Sequence, residues 1–161
     1  MQEPYDGGVT YIPSHLPQTI AAGGLHHLAL TEQGDVLAWG DNNRGQLGDG
    51  SKRNKKRPKK IFSGPVAIAA CWSSAFALTG DGDVCAWGNN FYGQCGDGSK
   101  QDKVRPVKVI SEATSIAAGY GFCLAKTREG RFCSGALTMA EIISSGMGVW
   151  EIKFDQLKYP L

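Results

Sequence analysis

The chain is written in copies. Ile20 to Lys52 reads IAAGGLHHLALTEQGDVLAWGDNNRGQLGDGSK. Ile68 to Lys100 reads IAACWSSAFALTGDGDVCAWGNNFYGQCGDGSK, 48 residues further on, without a gap and with 20 of 33 positions identical. A fainter third copy opens in the same phase with Ile116-Ala117-Ala118-Gly119, keeps Leu124-Ala125 and places Gly130 where Gly34 and Gly82 stand. Repetition at such a period means units that bury their apolar faces only by stacking on neighbours, as in solenoids, propellers or arrays.

Within one copy the signals are short strands between turn residues. Val36 to Gly40 and Val84 to Gly88 follow the Gly34-Asp35 and Gly82-Asp83 turns, and Leu28 to Thr31 and Phe76 to Thr79 precede them. The Ile-Ala-Ala segments form a further strand whose small residues suit a crowded site. Arg57 to Ile61 and Arg105 to Val109 carry proline and exposed charge, which an outermost strand tolerates, and Val9 to Pro13 occupies the equivalent place upstream. No segment has sustained helical periodicity. The sequence therefore predicts an all-β, incomplete β-propeller of about three four-stranded blades with a divergent C-terminal tail. Residues 1–8 read as an N-terminal tail. Residues 9–136 hold repeat units near 9–56, 57–104 and 105–136. Residues 137–161 match the repeat weakly and leave a degenerate strand, a cap and a docking tail open.

Gly45-Gln46-Leu47-Gly48 and Gly93-Gln94-Cys95-Gly96 read as the ordered connection between blades, with the glutamine satisfying backbone groups in a tight turn. The adjacent Gly48 to Lys52 only superficially resembles a phosphate-cradling loop, because the G-x-x-x-x-G-K-[ST] spacing is absent.

The apolar fraction of 42% and charged fraction of 20% are those of a soluble globular protein, and no apolar run is long enough to span a membrane. The first residues, MQEPYDGGVTY, lack the basic and apolar regions of a secretory signal. Of the five cysteines, Cys85 and Cys133 stand at the Leu37 position, Cys95 at the Leu47 position and Cys123 at the Ala75 position. That exchange marks them as small buried hydrophobes, with neither redox nor metal spacing, in a reducing, intracellular compartment.

Seven cations fall in nine residues: Lys52, Arg53, Lys55, Lys56, Arg57, Lys59 and Lys60. They are read as a basic loop between the first two units. Without them the net charge of +2 becomes −5, so the positive charge is local. Such a run fits a nucleic acid or an acidic protein surface. Without interleaved aromatics, contact with nucleic acid would be electrostatic.

The combined pattern resembles the repeat of the regulator of chromosome condensation family. It is carried by Ala21-Ala22-Gly23, His26, Leu28 to Thr31, Gly34, Val36, Trp39-Gly40, Asn42 and Gly45 to Gly48, and in the second copy by Trp87-Gly88, Asn90, Gly93-Gln94 and Gly96. The resemblance implies propellers of about seven blades. It also implies uses as exchange factors for small GTPases, chromatin binders, photoreceptors or plain interaction modules. The third unit departs from the pattern, with Gly135-Ala136 in place of Trp-Gly and Lys126 in place of Leu30. Around Trp72 the chain reads Cys71-Trp72-Ser73-Ser74-Ala75, without the arginine found in photoreceptor members of the family.

Three blades cannot close a ring, so both flanks should present apolar surface for a partner. The expected function is a non-catalytic protein-interaction or scaffold subunit ordered within a larger assembly, with Trp72 and Trp150 as candidate partner contacts. Guanine-nucleotide exchange on a small GTPase, and chromatin or RNA binding through the basic loop, are the alternatives. His15, His26 and His27 have no nucleophile at a recognisable motif, and His26 reads as a structural hydrogen-bonding group. No catalytic residue, cofactor or metal is expected.

Overall fold

The computed structural model describes residues 17–130, 132–134 and 150–152. Among these residues twelve strands form three four-stranded antiparallel sheets. The first sheet holds β1 (Pro17–Ala22), β2 (His26–Thr31), β3 (Asp35–Gly40) and β4 (Lys55–Ser63), paired in chain order. The second holds β5 (Pro65–Ala70), β6 (Ser74–Thr79), β7 (Val84–Gly88) and β8 (Lys103–Ile110). The third holds β9 (Ala113–Ala118), β10 (Cys123–Thr127), β11 (Phe132–Ser134) and β12 (Trp150–Ile152). Stacked in succession, they make an incomplete β-propeller of three blades.

Each β2–β3 type turn is closed locally. Gly34 N–H donates to the Thr31 carbonyl at 2.9 Å, and Asp35 N–H donates to Thr31 Oγ1 at 3.1 Å. Gly34 has φ 77°, a left-handed conformation that glycine adopts without a Cβ penalty. The prolines of the outer strands sit at irregularities: the register slips between Ala38 and Gly40 opposite β4, and between Ala86 and Gly88 opposite β8. There the missing N–H of Pro58 or Pro106 costs no regular ladder bond.

Alternation along the strands sorts side chains by size. Leu28 and Leu30 point one way from β2, while Ala75 and Ala77 point the opposite way from β6. Large residues of one blade therefore enter the space left by small ones of the next. Leu28, Leu30, Val36, Ala38 and Leu47 of the first blade meet Ile68, Ala75, Ala77 and Trp87 of the second. Phe76, Ala86 and Cys95 of the second blade meet Cys123 of the third, and Leu78 and Val84 meet Ala113 and Ala125. The core is thus two interfaces between three blades.

Two expectations are corrected. The segment Arg57–Ile61, placed by the sequence at the head of a unit, pairs with β3 and completes the sheet before it. The Gly-Gln-Leu-Gly turns join the third and fourth strands of one blade and do not connect blades. The tail contributes backbone to the third sheet: Trp150 pairs with Ser134 and Ile152 with Phe132. The other residues of 137–161, and the segments 1–8 and Val9 to Pro13, lie outside the described residues.

Candidate interaction surfaces

The loop between β3 and β4 is built around Asn42, which is fully buried. Its Nδ2 donates to the carbonyls of Ser51 at 3.0 Å and Arg53 at 3.1 Å, and its Oδ1 accepts from Leu47 N–H at 2.9 Å. Asn90 repeats this in the second blade, donating to Ser99 O at 3.0 Å and accepting from Cys95 N–H at 2.9 Å. Gln46 fills the role expected of it: Oε1 accepts from Arg44 N–H at 2.8 Å while Nε2 donates to Asp41 at 2.7 Å.

This loop grips the next blade. The Trp87 indole N–H donates to the Gln46 carbonyl at 2.9 Å, and a Cβ on Gly48 would lie 2.8 Å from the indole ring. Only glycine lets the backbone approach so closely. Phe62 adds an edge-on contact to Trp87 at 5.8 Å. Trp87 is wholly enclosed. The equivalent tryptophan of the first blade, Trp39, is half-buried, with its ring 5.4 Å from that of His27. Among the described residues its N–H has no carbonyl to donate to.

The first flank is open in the same sense. Ile20, Ile68 and Ile116 share one repeat position, yet Ile20 is 72% exposed whereas Ile68 is 7% exposed and Ile116 partly covered. The other flank differs, because Lys126 stands exposed where Leu30 and Leu78 are buried. The expectation of two apolar flanks holds for the first blade only at these described positions.

The basic run does not connect two blades: Lys52 and Arg53 lie in the β3–β4 loop of the first blade. Lys55 to Lys60 belong to β4, the outer strand. Lys55 and Lys59 reach Asp49 at 3.4 and 3.2 Å, Lys60 reaches Asp35 at 2.8 Å, and Lys52 reaches Asp102 at 3.2 Å. Burial works against ionisation of Asp49, but hydrogen bonds from Ser51, Lys59 and Lys55 hold its carboxyl well below the usual carboxylate range. Arg53, Lys56 and Arg57 make no ion pair among the described residues and are exposed. Four of the seven cations are therefore paired within the fold.

His26 is fully buried at the start of β2, and neither ring nitrogen has a hydrogen-bond partner among the described residues. Its ring is held against the Gly23 backbone, where a Cβ would lie 2.2 Å from Cε1. Burial first, and His27 second, push its pKa down to about 4. This corrects its reading as a hydrogen-bonding group: its role is packing. Cys71, Cys95 and Cys123 are buried in the interface between the second and third blades, and burial raises all three thiols, Cys95 and Cys123 to about 12. They serve there as apolar side chains.

Trp72 is 54% exposed in the β5–β6 turn, 5.4 Å from the Tyr120 ring. Gly24, Trp72 and Tyr120 share one repeat position and are tied in series: Gly24 N–H donates to Trp72 O at 2.9 Å, and Trp72 N–H to Tyr120 O at 3.2 Å. The sequence singled out Trp72 but missed this row, which the 48-residue phase could have revealed. The side chain of Trp150 and all of His15 lie outside the described residues.

Two models described as the regulator of chromosome condensation (RCC1) repeat match the chain, one over residues 33–78 and 81–125 and the other over 18–46 and 66–94. The chain belongs to the RCC1 repeat family. The mitochondrial RCC1 domain-containing protein RUG3 of Arabidopsis thaliana is 60% identical over 42 residues, 26% of this chain and 9% of that protein. Human WBSCR16 superposes with a TM-score of 0.67 at 25% identity, covering 74% of this chain and 33% of the other. Prp20p of Saccharomyces cerevisiae, described with its binding to Gsp1p and histones, gives 0.67 at 27% identity over 76% and 31%. The chain thus spans about a third of these solved RCC1-type structures. Among the described residues no helix is long and apolar enough to cross a membrane.

Proposed function

We propose that this chain is a non-catalytic interaction module, held within a larger intracellular assembly by the open flank of its first blade. One observation carries the reading: Ile20 is 72% exposed at the repeat position where Ile68 is 7% exposed. The contact between the first two blades supports the reading: there the equivalent face meets an apolar surface with a carbonyl for the tryptophan N–H. Apolar surface of that kind marks a protein contact. Sedimentation velocity of the chain, alone and with Ile20→Lys, tests it. The wild type should self-associate in the absence of its partner, and the variant should not. A well-folded wild-type monomer that stays monomeric at high concentration defeats the reading.

Likeness to Prp20p, which binds Gsp1p and histones, supports a second reading, regulation of a small GTPase. A nucleotide-release assay over a panel of GTPases separates the two: acceleration by the chain favours regulation, and none leaves docking.

A further inference from the structure

Eight large hydrophobic side chains are exposed among the described residues, and six of them lie at one end of the fan. Leu25, Trp72, Tyr120 and Phe122 stand in the turns between first and second strands, and Phe91 and Tyr92 in the β7–β8 loop. The two kinds of connection share an end because β2 and β6 start where β3 and β7 finish, His26 pairing with Gly40 and Ser74 with Gly88. Asn89 N–H donates to Ser73 O at 2.8 Å and Phe91 N–H to Asn89 Oδ1 at 2.9 Å, which fastens the loop beside the Trp72 turn. The other end, with Glu32, Gln33, Asp81, Arg128 and Glu129 in its turns, exposes Val66 beside Gly80 but no aromatic side chain among the described residues.

Cations gather at the aromatic end. Arg44 and Lys52 cross from the first blade to Asp102 of the β7–β8 loop at 3.5 and 3.2 Å, each with its side chain about half exposed. Arg53 and Lys100 are exposed on the same two loops. Asp102 and Asp41 offset part of this charge, but Asp102 is largely covered, whereas the cationic side chains reach solvent. Exposed aromatic faces beside exposed cations are what unpaired bases on a phosphate backbone require, since stacking needs free base faces and the backbone needs positive charge. A duplex hides its base faces from such side chains.

The geometry points to this end of the fan as a platform for single-stranded nucleic acid, with Trp72 and Tyr120 stacking bases and Arg44, Lys52 and Arg53 contacting phosphates. Of the basic run Lys52 to Lys60 that the sequence favours, the site takes in Lys52 and Arg53, while Lys56 to Lys60 run along β4 away from it. It is also separate from the Ile20 flank, so the two proposals stand or fall apart.

The test is fluorescence anisotropy of the full chain with a labelled oligouridylate of about 15 nucleotides, long enough to cross more than one stacking position. Binding is expected, with quenching of tryptophan fluorescence. Trp72→Ala with Tyr120→Ala should weaken it by about tenfold or more, and Trp72→Phe should retain most of it, because the π face survives. Arg44→Gln, Lys52→Gln and Arg53→Gln together should reduce the salt slope by about 2, at roughly 0.7 per phosphate contact. Circular dichroism of each variant confirms the fold, and Ile20→Lys should leave oligonucleotide binding unchanged. No binding at low salt overturns the proposal. So does binding that ignores the aromatic substitutions, or a duplex competing as well as the single strand, since either outcome reduces the surface to bare charge. Capture of a protein partner at these aromatics with no affinity for the oligonucleotide likewise overturns it.

Discussion

Lowering the pH from about 7 to about 4.5 should cost the folded chain about 2 kcal/mol through His26 alone. The ring is buried and held near neutrality, with its pKa pushed from the ordinary 6.5 to about 4, chiefly by desolvation and secondarily by His27, against a small opposing pull from Asp41. In the unfolded chain it protonates near 6.5. Between those values the unfolded state binds a proton that the folded state refuses, so stability falls as the pH falls. The gap is worth about 3 kcal/mol at 1.36 kcal/mol per unit, and most of it is felt by pH 4.5. The carboxylates that are stabilised in the fold, Asp49, Asp97 and Asp102, lose their contribution mainly below 3.8, so they leave most of this window clear. Urea midpoints followed by circular dichroism across the window, for the wild type and for His26→Leu, isolate the effect. The wild type should lose stability steadily while the variant stays nearly flat. Parallel slopes for the two would refute the reasoning, whatever their absolute stabilities.

Three further outcomes are expected. Trp87→Phe should destabilise by about 2 to 3 kcal/mol, because it strands the buried Gln46 carbonyl, whereas Trp39→Phe should cost under about 1 kcal/mol in the chain alone; denaturant midpoints decide. Asn42→Ala and Asn90→Ala should each cost about 2 to 3 kcal/mol by thermal or urea unfolding, since each leaves buried loop groups without partners. Below pH 3.8 a second loss should set in as Asp49, Asp97 and Asp102 take up protons, their folded values lying under the unfolded one; high salt should blunt it where Lys52 and Arg44 are exposed.

The fold was legible because the repeat sets strand, turn and period together: alternation in Leu28 to Thr31, glycine at 34 and 82, and proline in the outer strands each agree with the sheets. The phase of the unit was not, because an outer strand pairs backward with β3, and nothing in Arg57–Ile61 says which neighbour it joins. The surfaces were harder still. Seven consecutive-looking cations read as one patch, but the fold brings Asp49, Asp35 and Asp102 to four of them from 6 to 50 positions away. Residue type alone suggests a hydrogen-bonding role for His26, and only its enclosure shows that both nitrogens lack partners among the described residues.

Where the first two copies differ is as informative as where they agree. Of the 13 positions that differ between Ile20–Lys52 and Ile68–Lys100, eight fall at 23–27, 41, 43 and 44, all at the end that carries the exposed aromatics. Only two, Glu32 and Gln33, lie in the turn at the opposite end. Sheet pairing and the tryptophan clasp fix the shared positions, so the divergent ones are free to carry chemistry particular to each blade. Replacing Trp72, Ser73, Phe91 and Tyr92 by their first-blade counterparts (Trp72→Gly, Ser73→Leu, Phe91→Asn, Tyr92→Arg) should then change stability by no more than about 1 kcal/mol, as exposed substitutions do. The same exchange should abolish most oligonucleotide binding, despite adding a cation. A large loss of stability with binding intact would mean that these side chains hold the fan together, and that its divergent end is built for folding alone.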